Sequence, residues 1–553
     1  MRLFIPICLL LAACSKSKPA TTTTTTTTPS SFSFNSLKVN GGFNGFTYTN
    51  VNVTPTIQLS FSAPVDHNSV AAAVAFQNSA GGGIPYAVSY SNSDSTVTIQ
   101  PSSALQPITQ YTISVATSLL SHAGGTLESA INVKLTTAID STDKFPRITD
   151  SALLDLVESQ TFAYFWTFGH PICGMARERN TSGDVVTTGG TGFGIMAMLA
   201  AVQRGFITRA QALGRIDTIV NFLTTKVTTY HGAFSHWING ATGATVPFST
   251  QDDGGDIVET SYLMQGLLCA RQYFNNTTDA GETSLRAAIN QLYANIDYGW
   301  YRKSGLNVLY WNWSPDYNWA INVPVQGWCE ALITYVLAAS APTVPIPKST
   351  YDSGWARNGS MRNGNTYYNV VLPLGPSLGG PLFFAHYSFL GIDPNGLTDA
   401  YANYWTQNTA HTMINYSYCV ADPVNYNGYS TQCWGLTASD EQNGYSAHSP
   451  TNDDGVISPT AAVSSLPYAP TQAMNALRFF YYKLGDKIWG QYGFTDAFNL
   501  TKPWFATSYL AIDQGPEIVM IENYRSGLLW NLFMSCPEVQ NGMRSLGFSS
   551  PHF

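Results

Sequence analysis

The hydrophobic period of this chain changes once, and that change decides what it can fold into. Over residues 32–137 apolar side chains recur at every second position. Ile57, Leu59 and Phe61 alternate with Gln58, Ser60 and Ser62, Val97 and Ile99 with Thr96 and Thr98, and Tyr111, Ile113 and Val115 repeat the pattern. Such alternation describes strands with one buried face, and the Asn-Gly and Gly-Gly-Gly turns between the runs space them as in a small β-sandwich. From about residue 148 the period is helical. Helices are expected from residue 151 and over 193–204, 208–223, 256–274 and 324–339. More are expected around 397–409, 471–484 and 516–534. Long Gly/Asn/Trp-rich loops join them, and loops beyond about 15 residues usually carry function. The expected architecture is a small all-β sandwich at 32–139 followed, at 148–553, by an all-α (α/α)6 toroid whose loops build a cleft at one end.

The N-terminus is of a different kind. Arg2, the apolar run 3–13 and the sequence Leu11-Ala12-Ala13-Cys14 form a secretory signal too short to span a bilayer. The ending resembles the bacterial lipoprotein box, which implies cleavage after residue 13, lipidation of Cys14 and, with Ser15 following, sorting to the outer membrane. Residues 14–31 carry eight consecutive threonines, Thr21–Thr28, and read as a polar tether. No later segment is apolar enough for a membrane helix. The expected product is a cell-envelope protein held by a lipid anchor on the periplasmic or outer face. Nothing in the sequence demands an oligomer, and a monomer is expected. Of the six remaining cysteines, Cys419 and Cys433 flank a loop-like stretch and are candidates for a bridge. Cys173, Cys269, Cys329 and Cys536 lie in apolar helical surroundings and read as buried thiols.

Composition narrows the ligand. Only 11% of residues are charged, 13% are aromatic, and the net charge is -8. A nucleic-acid partner would need clustered Lys and Arg. A neutral, hydroxyl-rich ligand that stacks on rings suits this surface better, and sugar is the obvious candidate. No GxSxG elbow, P-loop, HExxH or zinc-spaced Cys/His cluster occurs, so neither metal nor cofactor is expected. Gly190-Thr-Gly192-Phe-Gly194 imitates a dinucleotide loop but lacks the third-glycine spacing, and close helix packing is the better reading.

Carboxylates carry the chemical signal. In Gln251-Asp-Asp-Gly-Gly-Asp-Ile-Val-Glu259 four acids fall within eight residues at a helix start. Capping would need one. Asp256 and Glu259 should lie one turn apart on one face, with Asp252 and Asp253 in the loop outside. Glu330 falls in a strongly apolar stretch expected to be helical, which should raise its pKa as a general acid requires, unless it is a buried structural Glu tied to an Arg. Asp513 precedes a helix that Pro516 is expected to start, a place that favours an ionised carboxylate and equally suits a cap. Trp311, Trp313 and Trp319 suit either stacking on sugar rings or core packing.

Several blocks resemble known families. Residues 55–66 are similar to the bacterial Ig-like domains that precede many secreted enzymes; that segment has no Trp platform and no paired acids, and reads as a spacer. The segments 174–180, 189–196, 231–240, 252–260, 381–391, 434–440, 511–516 and 521–525 look like the bacterial glucoamylase-like domain, most closely glycoside hydrolase family 144, the endo-β-1,2-glucanases. The resemblance implies an (α/α)6 fold and endo-acting, inverting hydrolysis of β-1,2-glucan without cofactor. It also implies that Asp252, Asp256 and Glu259 are cleft carboxylates and that Glu330 and Asp513 occupy the acid and base positions. Its blocks offer Arg177, Arg179, His231, Trp237, His386, Tyr387 and Asp440 as further sugar-binding residues. Related alternatives are an exo-acting or differently linked β-glucosidase and a glycan-binding lipoprotein without catalysis. Glu517 stands where the motif leads one to expect an apolar residue.

Overall fold

A computed structural model describes residues 30–553. The signal segment, Cys14 and most of the threonine tether lie outside the described residues. The chain divides into two units, Met1–Thr137 and Ala138–Phe553. In the first, two four-stranded sheets face each other. Phe34–Val39, Ile57–Phe61, Thr96–Pro101 and Tyr86–Ser91 form one in that spatial order. Thr47–Val51, Ile131–Thr137, Gln110–Val115 and Val74–Asn78 form the other. The alternating apolar residues point inward as expected. Ile57, Ile99, Ile113, Val133 and Leu135 are fully buried, with Ile57 opposite Ile99 across one sheet. A short helix, α1 (His67–Ala73), was not expected; Asp66 caps it by accepting from the Asn68 backbone N–H at 3.1 Å.

The second unit is helical. In its first half α2 (Asp150–Trp166), α4 (Arg209–Thr225) and α6 (Ala280–Ala294) bury one side, while α3 (Thr188–Gln203), α5 (Ile257–Tyr273) and α7 (Leu332–Ser340) are buried almost all round. The alternation continues with two buried 3₁₀ turns (Leu382–Ala385 and Tyr387–Leu390), the half-buried Tyr404–Ala421 helix, the buried Pro459–Ser464 helix and the half-buried Pro470–Ile488 helix. It ends on the buried Ala511–Ser526 helix. The buried helices hold the core, where α3 packs on both α5 and the Ala511–Ser526 helix. Glycine makes the first contact possible. A Cβ on Gly192 would fall 2.1 Å from the Tyr262 carbonyl oxygen, and one on Gly266 2.1 Å from that of Gly192. The Gly190–Gly194 run is therefore a packing surface, and it lies inside α3, which starts five residues earlier than expected.

Three other boundaries differ from the expectation. Pro324–Val325 is a strand paired with Leu309–Tyr310, Gly327 turns the chain with a φ of +77°, and α7 begins only at Leu332. The helix expected from 397 starts at Tyr404, where Asn403 caps it. The last long helix starts at Ala511 and runs through Pro516, stopping at Gly527, whose φ is +69°. Cys419 and Cys433 are buried free thiols and form no bridge; each sits in a packed interior, and burial raises both thiols. Cys329 is partly exposed. Among the described residues no helix is long and apolar enough to cross a membrane.

Candidate active site

The buried helices α3, α5, α7 and Ala511–Ser526 all start at one end of the domain, and the acidic residues collect there. The first group forms around Asp256. Gly255-Asp256 pairs with Asn312-Trp313 as a two-residue ladder, which lays the tryptophan-rich segment against the acidic block. Gly254 and Gly255 permit this approach, since a Cβ on them would meet the Trp313 carbonyl oxygen and the Tyr301 hydroxyl, each at 2.1 Å. Asp256 caps α5, one carboxylate oxygen accepting from the backbone N–H groups of Val258 and Glu259 at 2.9 Å each. Its other oxygen takes the indole N–H of Trp311 at 3.2 Å and lies 3.1 Å from His236 Nδ1. Capping and site building are thus one residue's work.

Glu259 accepts from the Gly189 N–H at 2.8 Å, and its second oxygen lies 4.0 Å from His236 Nε2. Burial alone would lower the His236 pKa, but the carboxylates of Glu259 and Asp256 raise it to about 9. The imidazolium therefore offsets part of the acid charge. Glu259 is still raised to about 7 and Asp252 to about 6, each chiefly by burial and further by Asp256. Nothing in the sequence singles out His236 beyond its place inside the 231–240 block.

Glu330 stands two residues before α7, in the turn that enters it, and is half-buried. Ser388 fixes this turn, its hydroxyl donating to the Glu330 carbonyl oxygen while accepting from the Ile333 N–H at 2.9 Å. Burial raises the Glu330 carboxyl to about 7, and the charges of Glu259 and Asp256 add to the rise. The cause differs from the expectation of an apolar helix face, while the direction agrees.

Asp513 lies in the first turn of its helix, and its setting does not keep it ionised. It is buried, one carboxylate oxygen has no partner among the described residues, and its pKa is pushed well above the usual range by burial and by Asp496. Asp496, raised to about 7, shares a hydrogen bond with Asp513 and accepts from the Asp440 N–H at 2.6 Å. The Asp440 carboxylate in turn takes Arg179 Nη1 at 3.2 Å on both oxygens and the Ser508 hydroxyl at 2.5 Å. Helix-end polarity is worth about 1 kcal/mol, too little to overcome burial beside a second carboxylate. Asp496 carried no sequence motif that could have announced it.

Tyr387 links the two groups. Its phenol is pushed far up by burial and then by Asp513, Tyr445, Glu330 and Glu259, and its ring packs against Phe193 and Tyr262 at 5.3 and 5.8 Å. On the acid-block side lie two aromatic clusters. His231 stacks on Trp300 at 3.6 Å, and Trp313 and Trp319 pack against Trp300. Phe248, half-exposed, covers His236 and Trp237 at 4.4 and 4.8 Å. Two expected residues point elsewhere. His386 is buried against the Ser465 hydroxyl and lowered to about 3 by burial, so it is a neutral core histidine. Arg177 donates to the Gly183 carbonyl oxygen and covers the Phe168 ring. Among the described residues no group of three or more His, Cys, Asp or Glu is arranged to hold a metal ion.

Residues 322–537 match the family model described as "Putative glucoamylase", and residues 45–137 match that of the bacterial Ig-like domain. An endo-β-1,2-glucanase from Chitinophaga pinensis, solved with sophorotriose and glucose, is 50% identical; the match covers 74% of this chain and 100% of that one, with a TM-score of 0.72. The chain belongs to the bacterial glucoamylase-like family. A β-1,2-glucanase from Parabacteroides distasonis is 38% identical over 94% of this glucoamylase-like chain and 73% of its own, with a TM-score of 0.70. An exo β-1,2-glucooligosaccharide sophorohydrolase (non-reducing end) from the same species is 47% identical over 422 residues, 72% of this chain. The chain spans 58% of the length of that curated relative.

Proposed function

We propose that the chain is an endo-acting β-1,2-glucan hydrolase that inverts the anomeric centre, with its helical unit an (α/α)6 toroid. The observation that carries this reading is Glu330, half-buried and raised to about 7 at the mouth of the buried helices. About half of it keeps its proton at pH 7, and more below, ready to be given to a leaving glycosidic oxygen. Asp513 is the base as one half of the Asp496–Asp513 pair: when the pair carries a single negative charge, Asp513 passes its own proton to Asp496 as it takes one from the attacking water. Inversion requires the acid and base about 6.5–9.5 Å apart, with room for that water. Asp256 and Glu259 act on the acid by their charge, His236 and Asp252 stand beside those two, and Trp237, Trp313 and Trp319 offer rings for glucose to stack on. The 50% identical endo-β-1,2-glucanase supports the linkage and the mode.

The 47% identical sophorohydrolase favours a second reading, exo release of sophorose from the non-reducing end. Incubation with linear β-1,2-glucan decides between them. Endo cleavage produces a ladder of oligosaccharides and an early fall in mean chain length; exo cleavage produces sophorose alone while the polymer stays long. No reducing ends at all from folded protein would overturn both. The protein is further proposed to be anchored through lipidated Cys14 to the outer membrane. Cys14→Ser should then move it from the membrane to the soluble fraction.

A further inference from the structure

Beside the Asp513 group lies a cavity of about 680 Å³, of whose lining the sequence marked only Arg179 and Asp440. Two hairpins build it, Ala438–Glu441 with Gly444–Ala447 and Phe498–Asn499 with Trp504–Phe505. Its walls include Arg179, Asp440, Tyr445, Trp504, Phe505 and Ser508. The volume is that of a pocket for a small organic ligand. Its lining is mixed, the rings of Tyr445, Trp504 and Phe505 with the polar groups of Arg179, Asp440, Glu441 and Ser508. Arg179 is held by two carboxylates, Glu178 at 2.9 Å and Asp440 at 3.2 Å, so its charge is spent inside the wall and the polar array keeps an excess negative charge. An anionic ligand would have to displace a carboxylate from Arg179 against that charge. A neutral ligand with an apolar face and many hydroxyls would not.

Tyr445 joins this cavity to the acids. It lines the cavity, is half exposed and pairs with Asp440 across the hairpin, and the charges of Asp513 and Asp496 act on its phenol. The acids thus have aromatic walls on both flanks, His231, Trp300, Trp313 and Trp319 on the acid-block side and Tyr445 with Trp504 on the Asp513 side. We infer that the cavity of the two hairpins is a saccharide subsite that holds the neutral glucose units of the chain extending past Asp513. This rests on the glucan-hydrolase reading and deepens it, because a subsite on each flank is what cleavage inside a polymer needs.

The test measures hydrolysis of linear β-1,2-glucan by the full chain and by Trp504→Ala and Tyr445→Phe, with thermal unfolding to show that each variant folds. Loss of the Trp504 face should raise KM for polymer about tenfold, equivalent to about 1.4 kcal/mol, with a smaller change in kcat. Should Trp504→Ala fail to fold, Trp504→Phe keeps a smaller ring and should raise KM by less. A second readout uses Glu330→Gln protein: titration with β-1,2-gluco-oligosaccharides should quench tryptophan fluorescence, and Trp504→Phe in that background should reduce the quenching. If wild type hydrolyses glucan and every folded variant keeps its KM and its quenching, the subsite is wrong while the enzyme reading stands. If wild type neither binds nor hydrolyses glucan, the enzyme reading fails and this ligand assignment falls with it.

Discussion

Glu517 lends itself to a sharp test of how burial sets charge in this domain. It follows Asp513 by four residues, is fully buried, and accepts from the Thr161 hydroxyl of α2 at 3.0 Å on one oxygen while the other has no partner. Burial lifts its pKa from 4.5 to about 8, with the Thr161 bond opposing. A raised carboxyl means that the native state holds its proton more tightly than the unfolded chain. Unfolding between pH 4.5 and 8 therefore releases a proton, and stability falls as pH rises through that window. Each pH unit costs about 1.4 kcal/mol, so by pH 7 about 3 kcal/mol is lost. Glu517→Gln cannot ionise, and its amide oxygen still accepts from Thr161. The variant should match wild type near pH 4.5 and exceed it progressively up to pH 8. An unfolding entropy of about 2.1 cal/mol/K per residue over Ala138–Phe553 makes the gain at pH 7 about 3–4 °C in Tm. Differential scanning calorimetry across pH 4.5–8 reads it directly. A Tm difference independent of pH, or a wild type more stable than the variant at pH 8, would show that Glu517 is not held protonated and refute the reasoning.

Glu330→Gln removes the proton donor and should cost roughly 10²–10⁴-fold in kcat, the usual contribution of general acid–base catalysis. For the wild type, kcat/KM should fall as pH rises through about 7, where Glu330 loses its proton. The raised Asp496–Asp513 pair moves the acidic limb up toward neutrality, giving a narrow bell; a broad plateau from pH 4 to 9 would contradict the assignment. Cleaved linkages should appear first as α-anomers by proton NMR, whereas β-anomers first would require a covalent intermediate and carboxyls about 5–5.5 Å apart. Asp256→Asn keeps a good cap but removes one of the charges that hold His236 at about 9. The histidine pKa, followed by NMR, should drop, and turnover should fall strongly with the fold intact. An unchanged rate would make the block a helix cap alone. Deleting residues 32–139 should leave turnover on soluble glucan within a few-fold, and a loss of several orders of magnitude in a folded truncation would put the sandwich in the cleft.

What the sequence disclosed follows from the range of the forces involved. Strand alternation around Ile57 and Ile113 and the helical runs were legible because each depends on neighbours a few residues away. Asp252, Asp256 and Glu259 were legible for the same reason, being packed into eight residues. The errors lay where a distant partner decides the outcome. Asp513 looked like an acid favoured by a helix end, and only the fold shows Asp496 against it. Glu330 looked helical because its segment is apolar, yet Pro324 pairs with Tyr310 and Gly327 turns the chain first. His236 acquires meaning from two carboxylates that lie 20 and 23 positions away in the sequence.

The glycine contact between α3 and α5 bears on which parts of such a domain are free to vary. Backbone meets backbone at Gly192 and Gly266, so the distance between these helices is already the least that peptide groups allow, and a single added methyl group would force them apart. Glu259 and its Gly189 donor ride on that pair, which freezes their spacing against mutation. Room for variation lies instead in the hairpins that rise from the rim, whose short ladders can lengthen, shorten or exchange aromatic side chains without moving an acid. Variants of this scaffold should therefore keep the spacing of these acids and diverge in the hairpins around them.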